Sequence, residues 1–226
     1  MQSVAEIPFI AGHVALDFVN TAEGRGHPDA GEALRTPGDL RLWGERRGVI
    51  AHVADSGSDS GSDSGSGSEA DGADSDAVGA ADADAGLREF PAALEARELL
   101  NRLFLGQARG DRAAAADLSQ LERLASGAYQ AAQLNQEADG RLSWNWDRSQ
   151  LATVRHVAVV SALELLSQSP GDRLKQCPGD HCGWFFLDAT KRGNRRWCSM
   201  SECGQEAKSA RRRASSRRPA PANGLR

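Results

Sequence analysis

Apolar side chains recur at helical spacing in four stretches of this 226-residue chain, and those stretches place most of its core. Thr36-Pro37-Gly38-Asp39 reads as a helix start. The threonine can cap, proline suits the first helical position, and Asp39 can reach back to the cap amide. Leu40, Trp43 and the stem of Arg47 then share a face. A second helix is predicted from about Leu87 to Arg109, with Leu94, Leu99, Leu103 and Phe104 inward and Pro91 leaving its start open. A third spans about Ala113–Ser126, with Leu118, Leu121 and Leu124 on one side. The fourth spans about Arg148–Gln168, where Leu151, Val154, Ala158, Ser161 and Leu165 repeat; Asp147 and Gln150 form a capping pair and Ser169-Pro170-Gly171 ends it. Between the last two, Tyr129–Asn135 and Arg141–Trp146 flank Ala138-Asp139-Gly140. They read as a β-hairpin with Leu142, Trp144 and Trp146 alternating to one face. Val14–Thr21 is apolar but short, and periodicity leaves strand and helix both open there.

One segment breaks the pattern. Residues 55–86 hold nine acidic residues, no basic ones and almost no large apolar side chains. Such a run cannot bury enough surface to offset its ordering entropy, so it reads as a disordered, solvated insert.

Charge adds a second asymmetry. The whole chain is −4, but residues 171–226 carry thirteen Lys/Arg against five Asp/Glu, whereas residues 1–170 carry fourteen against 26. An acidic body with a basic end suits a polyanionic partner. No apolar run approaches the roughly 18 residues needed to span a bilayer, and the start has no signal-peptide pattern. A cytoplasmic location is the expectation.

All four cysteines fall within that basic end, as Cys177-x4-Cys182, fifteen residues, then Cys198-x4-Cys203. Two short-spaced thiol pairs separated by a hairpin's length of chain read as one tetrahedral zinc site. The alternative is a disulfide-stapled secreted protein, but the rest of the chain needs no staples. Four protein ligands leave no open position for water, so the single ion is expected to be structural. Trp184–Leu187 has strand character, Lys191–Asn194 supplies a turn, and Arg195-Arg196-Trp197 reads as a returning strand that delivers Cys198. Ser199 or Ser201 can cap a helix that contains Cys203 and runs to about Arg213. Trp184, Phe186 and Trp197 are the expected core of this module. His181, beside Cys182, is expected to lie outside the ligand set.

The arginine-rich helix end is suited to phosphate contacts. Arg192, Arg195, Arg196, Lys208, Arg211, Arg212 and Arg213 are the candidate DNA-binding residues, with Arg195, Arg196 and Lys208 also placed to offset the thiolate charge. His13 and Asp17, one turn apart on a helix, could form an acid–base pair; local capping that anchors the N-terminal segment is the simpler account. No phosphate-cradling glycine loop or nucleophile motif is present, and an enzyme is not expected.

The run Cys177…Cys182-Gly-Trp-Phe-Phe-Leu-Asp188…Arg195-Arg196-Trp197-Cys198-Ser-Met-Ser-Glu-Cys203-Gly204 resembles the CGNR zinc finger, and Leu16-Asp17-Phe18-Val19-Asn20-Thr21 is similar to the start of the ABATE domain that precedes it. The resemblance implies a bacterial, stress-induced transcription regulator whose finger binds DNA. This chain departs from the signature in one place: where the family reads Cys-Gly-Asn-Arg, it has Cys203-Gly204-Gln205-Glu206. The zinc ligands are untouched, but a charge is reversed at the start of the candidate recognition helix. A salt bridge from Glu206 to Arg195 or Arg196 is the expectation.

The sequence thus predicts an α+β protein: a mainly α-helical N-terminal body with a small β-hairpin over residues 1–170, a treble-clef-like zinc finger over 171–214, and a basic disordered tail over 215–226. Its expected function is DNA binding through the finger. The alternatives are a protein-interaction module, with a protein partner or a second copy of the chain, and a redox-sensitive zinc switch.

Overall fold

The computed structural model describes residues 3–25, 27–52 and 74–216. Six helices and three two-stranded antiparallel hairpins make up the described chain. Helix α1 (Val14–Val19) leads into the short hairpin β1 (Ala22–Glu23) and β2 (Gly31–Glu32), then α2 (Pro37–Arg46), α3 (Asp74–Arg109) and α4 (Ala115–Gln130). Hairpin β3–β4 (Gln133–Gln136, Leu142–Asn145) follows, then α5 (Ala152–Ser167). The C-terminal region contributes β5 (Leu174–Gln176), β6 (Phe185–Leu187) and α6 (Gln205–Ser216).

The body forms around α5, which touches α1, α2, α3 and α4. Its run of Val, Ala and Leu is apolar on most sides, as a helix surrounded by others requires. Leu151, Val154, Ala158 and Leu165 are buried as the spacing predicts, while Ser161 is half-buried and donates its hydroxyl to the Val157 carbonyl one turn back. Helix α2 begins with the predicted capping box: Thr36 Oγ1 accepts from the Asp39 amide at 3.1 Å, and Asp39 Oδ2 accepts from the Thr36 amide at 2.9 Å. Leu40 and Trp43 are fully buried behind it.

Other expectations shift. The segment Val14–Thr21 resolves as helix through Val19. Helix α3 begins at Asp74, so the end of the stretch expected to be disordered is helical; residues 55–73 lie outside the described chain. Pro91 therefore sits inside the helix rather than near its start, on an exposed face. Helix α4 runs on to Gln130, past the predicted end, and the β-hairpin is correspondingly shorter. Leu118 is exposed on α4, and Leu142 and Trp144 are exposed on the hairpin, where Trp144 meets Tyr129 of α4 edge-on at 5.3 Å. Asp147 caps locally, its carboxylate accepting from the Ser149 amide at 2.9 Å and its carbonyl from the Gln150 amide at 3.2 Å. Most of the predicted tail, from Arg217 onward, is outside the described residues, and Ser215–Ser216 close helix α6.

Candidate metal centre and basic face

The finger is folded onto the body through a shared core. Phe185 and Phe186 are fully buried, Trp184 and Trp197 nearly so, and all four join the same apolar cluster as Leu16, Phe18, Leu99 and Phe104. Phe185 meets Phe104 of α3 at 6.0 Å between ring centres. Asn20, which ends α1, clamps β6 with two hydrogen bonds: its Nδ2 donates to the Phe185 carbonyl and its Oδ1 accepts from the Phe185 amide, both at 2.8 Å. The Leu187 amide donates to the Ala11 carbonyl at 2.8 Å, and the Gly24 amide to the Cys182 carbonyl at 2.7 Å. Gly24 has a φ of +60°, and a Cβ there would stand 3.1 Å from the His181 carbonyl oxygen, so the close approach of body and finger needs glycine.

The polar residues of α1 divide between local and distant work. Thr21 Oγ1 donates to the Phe18 carbonyl at 2.8 Å, and Asp17 accepts from the Ala11 amide at 3.1 Å, which is the anchoring predicted for them. Asp17 pairs with Arg47 at 3.1 Å instead of His13, whose buried Nδ1 has no hydrogen-bond partner. Burial raises the Asp17 carboxyl despite the Ala11 amide and Arg47, and burial, with Arg47 assisting, lowers His13. Arg97 lies buried beneath, forked onto Glu32 at 2.8 and 2.6 Å and donating to Thr21 at 3.0 Å.

Around the cysteines the strand pairing differs from the predicted one. Strand β6 pairs with β5, before Cys177, so that Leu174 faces Leu187 and Gln176 faces Phe185. The first cysteine pair therefore sits at the tip of the β5–β6 hairpin. Arg195–Trp197, expected as the returning strand, is irregular. Side chains take over its pairing: Asp188 accepts from the Arg195 amide at 2.8 Å and the Thr190 amide at 2.9 Å, while Lys175 Nζ donates to the Gly193 and Arg195 carbonyls at 2.6 and 3.1 Å. Burial alone would raise the Asp188 carboxyl. The Lys175 ammonium at 2.7 Å, the Thr190 hydroxyl and those two amides overcome it and hold the group well below the usual carboxylate range. Cys203 lies in a wide turn, Met200–Gly204, closed by the Gly204 amide on the Ser199 carbonyl at 3.0 Å, and α6 starts just after it. A Cβ at Gly204 would stand 3.0 Å from the Met200 sulfur and 3.3 Å from the Trp197 ring, which explains glycine at this turn.

The four thiols converge. Cys182 Sγ lies 3.4 Å from Cys198 Sγ, Cys198 Sγ lies 3.7 Å from Cys203 Sγ, and all four sulfurs are within 4.8 Å of one another. A tetrahedral ion with metal–sulfur bonds of about 2.3 Å sets its sulfurs about 3.8 Å apart. None is in a disulfide. In this space the thiols oppose one another's ionisation: hydrogen bonds from Cys182 and Cys198 favour the Cys177 thiolate, and the same contacts push Cys182 and Cys198 up, while burial raises Cys203. Four thiolates here require a cation to offset them, so the donor set fits a metal ion.

The basic candidates separate into three groups. Arg195 is half-buried over the Phe186 ring at 4.4 Å and donates to the Trp197, Cys198 and Ile10 carbonyls, which commits it to holding the fold. Arg196 is exposed, 5.0 Å from the Trp197 ring, and Arg192 is exposed in the loop after β6. On α6, Lys208, Arg211, Arg212 and Ser215 follow helical spacing and form one stripe. With Trp197, Met200 and Gly204 they line a groove of about 530 Å³ that contains no acidic residue. Glu206 and Arg213 lie on the other side of the helix, around a second groove that includes Asp180 and Glu202. Glu206 pairs with neither Arg195 nor Arg196, contrary to expectation, because Arg195 is turned inward beneath the finger. The charge reversal at Glu206 thus falls away from the basic stripe.

A four-cysteine metal centre set on a hairpin tip and a helix start, and built into a helical body, defines a zinc-finger-type protein. A model of the CGNR zinc finger matches residues 173–216, and a model of the ABATE domain, described as "Putative stress-induced transcription regulator", matches residues 12–169; the chain belongs to this family. Curated proteins provide no match to it. No helix among the described residues is long and apolar enough to cross a membrane.

Proposed function

We propose that this protein is a transcription regulator that binds duplex DNA through the stripe Lys208–Arg211–Arg212 on α6, with Arg196 and Arg192 as flanking phosphate contacts, and that the four cysteines hold one structural zinc ion. It is a binding protein rather than an enzyme. The observation that carries the reading is the groove of about 530 Å³ lined by three cations and no anion, immediately after the last metal ligand. Zinc supplies the cross-link that fixes α6 to the β5–β6 hairpin, and thiolates are its preferred ligands in closed sites. With four protein ligands the ion has no open position, so its chemistry is structural. Phosphate contacts position a protein on DNA, and each one neutralised releases counterions. Glu206 does not oppose this binding, since it sits across the helix from the stripe.

The test is binding to random duplex DNA at several salt concentrations. The zinc-loaded protein is expected to lose affinity with a log–log slope of about 0.9 per phosphate contacted. Lys208→Ala/Arg211→Ala/Arg212→Ala should make that slope shallower by about 3 units, one per cation removed, with the fold retained. An unchanged slope in the triple variant would reject the stripe as the DNA face.

A further inference from the structure

We infer that this protein carries a second metal site, separate from the four cysteines, in which His27, Asp29 and His181 hold a divalent ion of the zinc class and fasten the β1–β2 loop of the body to the tip of the finger.

His181 follows from the sequence as a residue outside the cysteine set. It stands outside the thiol cluster and meets His27, which is 154 positions distant. The two Nδ1 atoms lie 3.2 Å apart, with ring centres 4.1 Å apart and planes at 88°. Asp29 Oδ2 stands 3.7 Å from His27 Nδ1. A tetrahedral ion bonded at about 2.0–2.2 Å to nitrogen and oxygen places its donor atoms about 3.3–3.6 Å apart. The two measured separations bracket that spacing.

Hydrogen bonding alone leaves this arrangement unresolved. The Asp29 amide donates to His27 Nδ1 at 3.2 Å, so that nitrogen presents its lone pair. The same lone pair faces His181 Nδ1 and a carboxylate oxygen. A single N–H from His181 can serve one of these contacts, whereas one cation between them takes a lone pair from all three donor atoms and replaces the long Asp29 amide contact at His27 Nδ1. Two imidazoles and a carboxylate suit borderline ions such as Zn2+ or Co2+.

The backbone builds the site rather than leaving it to flexible side chains. The His27 amide donates to the Gly24 carbonyl at 2.8 Å, the Ala30 amide to the His27 carbonyl at 3.1 Å, and Gly24 is itself bonded to Cys182 at 2.7 Å. His27 is half-buried, while Asp29 and His181 are exposed, so an ion can enter from solvent and a water can complete the coordination.

The experiment uses the full chain loaded with one equivalent of zinc, then titrated with Co2+. One further equivalent is expected to bind, giving weak visible d–d absorption without the near-ultraviolet thiolate-to-cobalt charge transfer that a cysteine site produces. His27→Ala and Asp29→Asn should each abolish that second equivalent while the first zinc is retained, since neither residue belongs to the thiol cluster. The absence of a second equivalent in the wild type at excess Co2+ would overturn the site. So would a second equivalent that persists in both variants, which would mark adventitious surface binding. Charge-transfer bands from the added cobalt would place it on the thiols and overturn the site as well.

Discussion

The two sides of the finger use the same residue types for opposite ends. On the inner side Arg195, Lys175 and Asp188 face one another and the backbone, Arg195 lies over Phe186, and Asn20 reaches in from α1. Every charge there has a partner at hydrogen-bond distance. On the outer side Lys208, Arg211 and Arg212 stand in solvent along a groove free of acids. The contrast separates basic residues that complete the fold from basic residues available to a polyanion. A count of arginines cannot do this, because Arg195 and Arg211 are equivalent in composition.

Metal removal should break the comparison most completely. Structural zinc in small fingers is worth about 10–16 kcal/mol of apparent binding free energy at neutral pH, so chelation or Cys198→Ser should unfold the outer helix and the finger together. Because Trp184, Phe185 and Phe186 share the body's core, circular dichroism on heating should show one cooperative transition at lower temperature, not an untouched body beside a lost finger. A body transition unchanged by chelation would separate the two units.

The inner clamp should come next. Asn20→Ala leaves the Phe185 amide and carbonyl buried without partners, at about 1–3 kcal/mol for each group. Urea denaturation of the metal-loaded protein should therefore show a loss of about 2–6 kcal/mol, with DNA affinity at low temperature preserved. A loss within about 0.5 kcal/mol, as for an ordinary surface substitution, would deny the clamp its role.

A smaller, pH-dependent effect belongs to the body. Burial and Arg47 lower His13, so the folded protein binds fewer protons at this site than the unfolded chain does. The stability it contributes is complete above the unfolded histidine value of about 6.5 and is lost as pH falls through the depressed folded value. Thermal unfolding followed downward from neutral pH should show this erosion, and His13→Gln should flatten part of it; His156, also lowered by burial, accounts for a further part. Identical pH profiles for the two proteins would remove His13 from this account.

The smallest effect sharpens the outer side. Glu206→Arg, which restores the family residue, adds a cation across the helix from the stripe. The salt slope of DNA binding should change by less than about one phosphate contact. A full additional contact would mean that DNA reaches both faces of α6.

Much of this architecture was legible along the chain. The capping box at Thr36, the apolar repeat of α5 and the convergence of four cysteines are local patterns, and local geometry enforces them: a box closes within one turn, and an amphipathic repeat has one face to bury. Less legible were the features that depend on distant partners. Strand β6 was expected to pair forward with Arg195–Trp197, yet it pairs back to β5, because Asp188 and Lys175 satisfy the intervening backbone with side chains. Pro91 left the start of its helix open, and it lies well inside α3.

By itself the sequence determined the four longer helices of the body, the clustering of the four cysteines and the concentration of positive charge near the C-terminus, since each depends on residue type and short-range spacing. Tertiary structure alone decided that Asn20 would clamp Phe185, that Arg195 would turn inward while Arg211 and Arg212 stayed out, that Glu206 would face away from them, and that His27 would meet His181. Those outcomes join residues far apart in the chain, and spacing carries no information about which surfaces a shared core brings together.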